Sequence, residues 1–174
     1  MIGVYDYTVL ATYLSLAFGV SGILAAMNGS PYSALLCLMV SGLLDAFDGR
    51  IARTKKNRTE QEKRFGIQID SLNDVVCFGV LPGVIGASLG GGEWWLRASV
   101  LFYVLAALIR LAYFNVTEEE RQSATNEHRH YYLGVPVTAA SFVMPLFWAL
   151  PLRLGSALAV IYAVGLTLLA FLFI

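Results

Sequence analysis

The sequence predicts an all-α integral membrane protein, a bundle of six transmembrane helices with its functional site at the cytoplasmic end. Three observations lead there. Of 174 residues, 57% are hydrophobic and 14% charged, with a mean hydropathy of +0.66, more apolar surface than one soluble core of this size would bury. Apolar runs recur along the chain, each near the roughly 20 residues a helix needs to cross a ~30 Å hydrocarbon layer. The alternating pattern of a membrane barrel is absent, and in lipid a helix satisfies its own backbone groups.

The first run, Thr8–Asn28, has no basic leader and is expected as a mature helix rather than a cleaved signal. The second, Tyr32–Phe47, meets aspartates at its end, and the third, Ile69–Gly90, meets them at its start. The fourth is Trp94–Asn115, the fifth Gly134–Leu152, and the sixth, Gly155–Ile174, reaches the chain terminus. Only Arg50–Gln68 and Val116–Leu133 are long connections, so residues 1–174 read as one domain. Within the first of them Thr59 and Glu62 have capping-box spacing, which predicts a helical turn there. Glu118–Glu120 are expected to begin a solvated helix, and His128 and His130, in NEHRHYY, to be solvated. Cys37 and Cys77 fall inside apolar runs and read as small apolar fillers.

Charge orients the bundle. Arg50, Arg53, Lys55, Lys56, Arg58, Lys63 and Arg64 lie between the second and third runs, and Arg110, Arg121 and Arg129 on or after the fourth. Arg97 and Arg153 remain for the other face. Short basic loops stay in the cytoplasm, so both termini and the acid-bearing loop are expected there. Trp94, Trp95 and Trp148 then form an interfacial belt on the opposite side. The formal net charge is +0, and no nucleic-acid partner is expected.

The acids define the chemistry. Asp45 and Asp48 are three apart, and Asp70 and Asp74 four apart, spacings that put each pair on one helix face. Consecutive antiparallel helices bring all four to one site. A capping role would explain Asp70 but not the rest. Each carboxylate in a spanning segment costs about 2.5–3.5 kcal/mol on insertion scales, and clustered anions repel. A cation must hold them. Hard oxygen donors suit one or two divalent ions, Mg²⁺ or Mn²⁺, two being the expectation, and such ions also attract phosphate. Gly49, Ala52 and Gly66 leave room along the same stripe, and Arg53 can fork onto a phosphate.

The pattern reads D-x2-D-G-x2-A-R-x12-G-x3-D-x3-D, and with it the chain resembles the CDP-alcohol phosphatidyltransferase family. Every fixed position of that signature is filled, and six helices with the motif on the second and third is the family layout. The gap between Arg53 and Gly66 is longer than the family usually has. The resemblance implies metal ligands at Asp45, Asp48 and Asp70, with Asp74 as general base also touching a metal. It implies a CDP-lipid pocket at Gly49, Ala52, Arg53 and Gly66, and a hydroxyl facing the cytidine at Thr12. It also implies phosphatidyl transfer from CDP-diacylglycerol within membrane lipid, and a homodimer, for which Gly79, Gly83 and Gly86 would permit close helix contact.

ALIRLAYFNV, residues 107–116, and HYYLGVPVTAA before the fifth helix resemble the phosphatidylserine synthase branch. That implies L-serine as acceptor and assigns Arg110 and Asn115 to its pocket. Two alternatives stay open at this point: the same chemistry with glycerol 3-phosphate or inositol phosphate, and a small cation carrier.

Overall fold

The computed structural model describes residues 3–55, 57–89, 92–124, 134–149 and 156–174, without the side chains of Arg53, residues 121–124, Ala149 and Ser156. Everything regular among them is helical. The elements are α1 (Leu10–Met27), α2 (Pro31–Thr54), α3 (Glu60–Asp74), a π turn (Val75–Val80), α4 (Leu81–Leu89), α5 (Trp94–Ala124), a 3₁₀ turn (Val137–Ala139), α6 (Ala140–Ala149) and α7 (Ser156–Phe173). His128, His130, Tyr131, Arg129 and Arg153 lie outside the described residues.

Three of these are long and apolar enough to cross a membrane: Leu10–Met27, the continuous rod Glu60–Leu89 made of α3, the π turn and α4, and Trp94–Glu120. Their outer faces show Leu14, Phe18, Leu101, Leu105 and Leu108 to the surroundings, as a lipid solvent requires. The six spans expected from the apolar runs are therefore not all matched. Helix α6 has 10 residues, only ~15 Å of rise, and α2 has 24 but ends in GRIART, whose charges lower its hydropathy.

Helix ends differ from the apolar runs for a physical reason: hydrophobicity marks what lipid covers, whereas hydrogen bonding decides where a helix stops. The third rod starts at Glu60 rather than Ile69 because Thr59 and Glu62 form a complete capping box, in which Thr59 Oγ1 accepts from the Glu62 amide at 3.2 Å and Glu62 Oε2 from the Thr59 amide at 2.7 Å. Glu118–Glu120 start no new helix. They continue α5, whose last turns project beyond the apolar stretch.

The rod bends its hydrogen-bond pattern in the middle. Pro82 has no amide proton, so the carbonyl of Phe78, four residues earlier, loses its helical donor. The π turn ends at Val80, two residues before Pro82, and the buried Tyr103 hydroxyl donates to the Phe78 carbonyl at 2.5 Å. The Tyr162 hydroxyl reaches the Pro82 carbonyl at 3.3 Å. Without those hydroxyls a backbone acceptor would be stranded in an apolar core. Around them Leu38, Phe78, Leu81, Ile85, Met144 and Leu166 are fully buried.

Small residues set how closely the helices approach. A Cβ at Gly83 would lie 3.0 Å from Val100 of α5, and one at Gly86 3.1 Å from Leu166 and Tyr162 of α7. The close contacts expected of these glycines are thus made inside the chain, and they present no free face to a second copy. Gly19 gives room to the Cys77 thiol in the same way. Cys37 and Cys77 are both free thiols.

At the loop end, Lys55 Nζ bridges Asp6 at 2.7 Å and Glu62 at 2.8 Å, tying the N-terminal segment to the start of α3. The Lys55 ammonium, with Thr8 adding its hydroxyl and amide, lowers the Asp6 carboxyl to about 2.

The tightest contact between distant helices predicts a stability test. A Cβ on Gly42 of α2 would overlap the buried Ser141 side chain of α6. Gly42→Val should destabilise by about 1–3 kcal/mol, the usual size of overpacking, lowering the thermal midpoint in detergent by several degrees at roughly 2–4 °C per kcal/mol. An unchanged midpoint would mean that α2 and α6 are not packed this closely.

Candidate active site

Carboxylates from two helices meet inside the bundle. Asp45, Asp70 and Asp74 each offer an oxygen, all within 4.8 Å of one another. Asp45 thus lies close to Asp74, and Asp48 lines a pocket together with Asp70. The pairing follows from antiparallel direction: going inward from the loop, α2 presents Asp48 and then Asp45, while α3 presents Asp70 and then Asp74. The two rods approach each other at the π turn and α4 more than at α3. They part toward the loop and leave the acids facing one another across a gap.

Asp74 lies deeper in its rod than the apolar run implied. It is 14 residues after Glu60 and 15 before Leu89, ~21 and ~22 Å by helical rise. The first turns of α3, EQEKRFG, are too polar for hydrocarbon, so half of that depth is reached from the loop side.

The donor set fits a divalent ion. Asp70 Oδ1 and Asp74 Oδ1 are buried with no hydrogen-bond partner among the described residues, although buried carboxylate oxygens are ordinarily satisfied. Anions this close in a low-dielectric interior repel strongly. A hard cation answers both facts at once, and carboxylate oxygens are donors that Mg²⁺ or Mn²⁺ accept within an octahedral oxygen shell that water or phosphate completes.

Beside the acids lies a pocket of about 150 Å³ lined by Thr8, Val9, Thr12, Asp48, Gly49, Ala52, Arg58, Lys63, Gly66, Ile67 and Asp70. The sequence-chosen Thr12, Gly49, Ala52 and Gly66 therefore share one cavity with two of the acids. Thr12 does more than face it, since its hydroxyl donates to Asp48 Oδ2 at 3.3 Å. The Arg53 side chain is outside the described residues. Thr8, Arg58 and Lys63 had not been singled out, being ordinary loop and N-terminal polar residues in the sequence.

A second cavity of about 290 Å³ opens on the far side of Asp74, lined also by Arg110, Leu111, Phe114, Gly134, Pro136, Val137 and Thr138. Arg110 is buried, and its Nε makes a long 3.5 Å hydrogen bond to the Val135 carbonyl. Gly134 has φ +76, and a Cβ there would lie 3.3 Å from the Leu172 carbonyl and 3.7 Å from Arg110 Nε. Only glycine adopts that conformation readily. Asn115 is not in this cavity: Ser71 donates to its Oδ1 at 2.9 Å, and it lines a separate charged cleft with Lys63, Arg64, Gln68 and Glu118. The structure thus brings Arg110 to Asp74 and puts Asn115 between α3 and α5.

A buried polar network supports the acids from below. Ser15 and Ser41 hydroxyls are 2.7 Å apart, Asn73 Nδ2 donates to Ser15 Oγ at 3.2 Å, and the Cys77 thiol donates to Asn73 Oδ1 at 3.2 Å. It joins α1, α2 and the third rod one residue from Asp74. Cys77 is accordingly more than filler. Serines inside apolar runs were the available signal, by the same reasoning that flagged the acids.

A carboxylate cluster that could hold a divalent ion thus lies in the interior of a membrane bundle, flanked by a polar and a largely apolar pocket. A family model described as CDP-alcohol phosphatidyltransferase matches residues 8–172. The chain is 30% identical over 147 residues to a CDP-diacylglycerol–serine O-phosphatidyltransferase of Mycobacterium tuberculosis, covering 83% of this chain and 49% of that protein. It is 34% identical over 145 residues to one from Helicobacter pylori, covering 82% and 56%, and 29% identical over 140 residues to an archaetidylserine synthase of Methanothermobacter thermautotrophicus, covering 80% and 56%. The chain spans about half the length of the curated relatives it matches. It belongs to the CDP-alcohol phosphatidyltransferase family, within which its likeness is to the phosphatidylserine synthase branch, and it is an integral membrane protein.

The Thr12–Asp48 bond gives a direct test of the carboxylate geometry. Groups that orient a metal ligand typically contribute 10–100-fold to affinity. Thr12→Val should weaken Mn²⁺ binding about 10-fold by electron paramagnetic resonance titration, with the thermal midpoint nearly kept. Unaltered affinity would show that Asp48 is held by other means.

Proposed function

We propose that this protein transfers the phosphatidyl group of CDP-diacylglycerol to the hydroxyl of L-serine, giving phosphatidylserine and CMP. The observation that carries the reading is the single cavity lined by both Asp74 and Arg110. Among the described residues lining it, Arg110 is the one cation, and beyond Asp74 and Thr138 the wall is mainly Leu111, Phe114, Pro136 and Val137. That suits a small amino acid, whose carboxylate pairs with one guanidinium. A phosphorylated acceptor such as glycerol 3-phosphate or inositol phosphate would call for several cations. The relatives' names point to the same acceptor. A cation carrier would not need a second cavity of this kind beside its acids.

In this reading Asp45, Asp48, Asp70 and Asp74 would hold one or two divalent ions, Mg²⁺ or Mn²⁺. Bound there, the ions supply positive charge to the diphosphate and to the departing CMP. Thr12, Gly49, Ala52, Arg53 and Gly66 bind the CDP end of the lipid. Arg110 orients serine by its carboxylate, and the Asp74 carboxylate removes the proton from the serine hydroxyl. The serine oxygen then forms a bond to the lipid-side phosphorus. The bond from that phosphorus to the bridging oxygen breaks, and CMP leaves with the electron pair. The chain acts as one domain over residues 1–174 in the cell membrane, with six spanning helices and both termini and the site facing the cytoplasm, as the basic loop 50–64 supports. It works as a homodimer, a state the family resemblance supports.

Purified protein given CDP-diacylglycerol and a panel of alcohols should release CMP with serine. Arg110→Ala should raise the KM for serine about 10-fold or more and leave that for CDP-diacylglycerol nearly unchanged. Asp74→Asn should cut kcat by roughly 10²–10⁴, the usual general-base contribution, while CDP-lipid still binds. Product from glycerol 3-phosphate but not from serine would refute the acceptor.

A further inference from the structure

The residues between Arg53 and Gly66 are more numerous than the family pattern needs, and one of them ends in the pocket rather than in solvent. Arg58 lines the 150 Å³ cavity together with Asp48, Asp70, Gly49 and Gly66. Its Nη2 donates to the Glu62 carbonyl at 3.2 Å, and its Nε is buried with no hydrogen-bond partner among the described residues. A buried, unpaired donor on a cation is costly unless a ligand meets it. Gly66 makes the position possible, because a Cβ there would lie 2.7 Å from Arg58 Nη2. Lys63, on the same cavity, is different: its ammonium is paired with Glu60 at 2.7 Å in an exposed pair.

The loop around Arg58 is pinned on both sides. Lys55 is held by Asp6 and Glu62, and Thr59 closes the capping box. The guanidinium is therefore preorganised before any ligand arrives, which lowers the entropy of binding it. A planar guanidinium over a cavity floored by carboxylates matches a group that is anionic at one end and bound by divalent ions at the other. A phosphate has that character.

We infer that Arg58 is a second guanidinium of the nucleotide pocket, one that binds a phosphate of the CDP moiety and sets the affinity for the nucleotide end of the lipid. The longer loop is what delivers it. This rests on the CDP-lipid reading above. It assigns Arg58 a role in substrate binding and none in proton transfer.

Binding of CDP in the presence of Mn²⁺ to the full detergent-solubilised chain, measured by isothermal titration calorimetry, tests it. Arg58→Gln should weaken CDP binding about 10–100-fold, the scale of a lost charge-assisted pair. Arg58→Lys, which keeps the charge and stem, should recover part of it. Arg64→Ala, which removes the same charge outside this pocket, should bind as the unaltered protein does. In turnover, the KM for CDP-diacylglycerol should rise in Arg58→Gln and the KM for serine should not. Failure of the unaltered protein to bind CDP would overturn the CDP-lipid reading itself. Binding by the unaltered protein with no loss in either Arg58 variant, or an equal loss in Arg64→Ala, would overturn the role of Arg58 alone.

Discussion

The mutual approach of Asp45, Asp70 and Asp74, with Asp48 against Asp70, is the constraint on which the rest of the structure depends. Four acids inside an apolar bundle are unfavourable twice over, by desolvation and by repulsion. The fold tolerates them because they sit where two rods diverge, next to a polar pocket, and because a divalent ion can take the oxygens that no donor among the described residues satisfies. Several features near them follow from that need. The small face of α1 lets Thr12 reach Asp48, and the Ser15–Ser41–Asn73–Cys77 network fixes the three helices just below.

The second structural requirement is that the third rod present its acids to α2 while its other half packs on α5 and α7. Pro82 and the π turn before it separate those tasks. Tyr103 and Tyr162 supply hydroxyls to the carbonyls of Phe78 and Pro82, and Gly83 and Gly86 let α5 and α7 close in. π turns are frequent beside functional sites, and here one starts at Val75, the residue after Asp74. The cavity that Asp74 shares with Arg110 lies between the end of α3, α5 and residues 134–138.

Much of this was legible in the sequence because charged residues in apolar runs are rare and their spacing maps directly onto helix faces. Asp45, Asp48, Asp70 and Asp74 stood out for that reason, and Thr59 with Glu62 gave the helix start through a local hydrogen-bond pattern. What was not legible depended on contacts between distant segments. The resemblance of ALIRLAYFNV to the phosphatidylserine synthase branch put Asn115 in one pocket with Arg110, but five residues on a helix carry it to another face, where it meets Ser71. Arg58 read as one cation among many in a basic loop, since nothing local says which of them turns inward. Among the described residues three helices reach spanning length and apolarity, because hydropathy marks apolar runs and not where a helix starts or stops, and Gly83 and Gly86 make their close contacts within the chain.

The central claim is that the carboxylate cluster is a divalent-ion site and that ion binding stabilises the fold around it. An ion that binds the folded chain and not the unfolded one stabilises by RT ln(1 + [L]/Kd), about 2.7 kcal/mol at 100 times Kd. The decisive measurement is the thermal midpoint of the exhaustively chelated protein as free Mn²⁺ or Mg²⁺ is added at constant ionic strength, in the unaltered chain and in Asp70→Asn. The account predicts a saturable rise of several degrees with either divalent ion, none with Na⁺ or K⁺, and a much reduced response in Asp70→Asn. A midpoint indifferent to divalent ions, or an equal rise in Asp70→Asn, would contradict it.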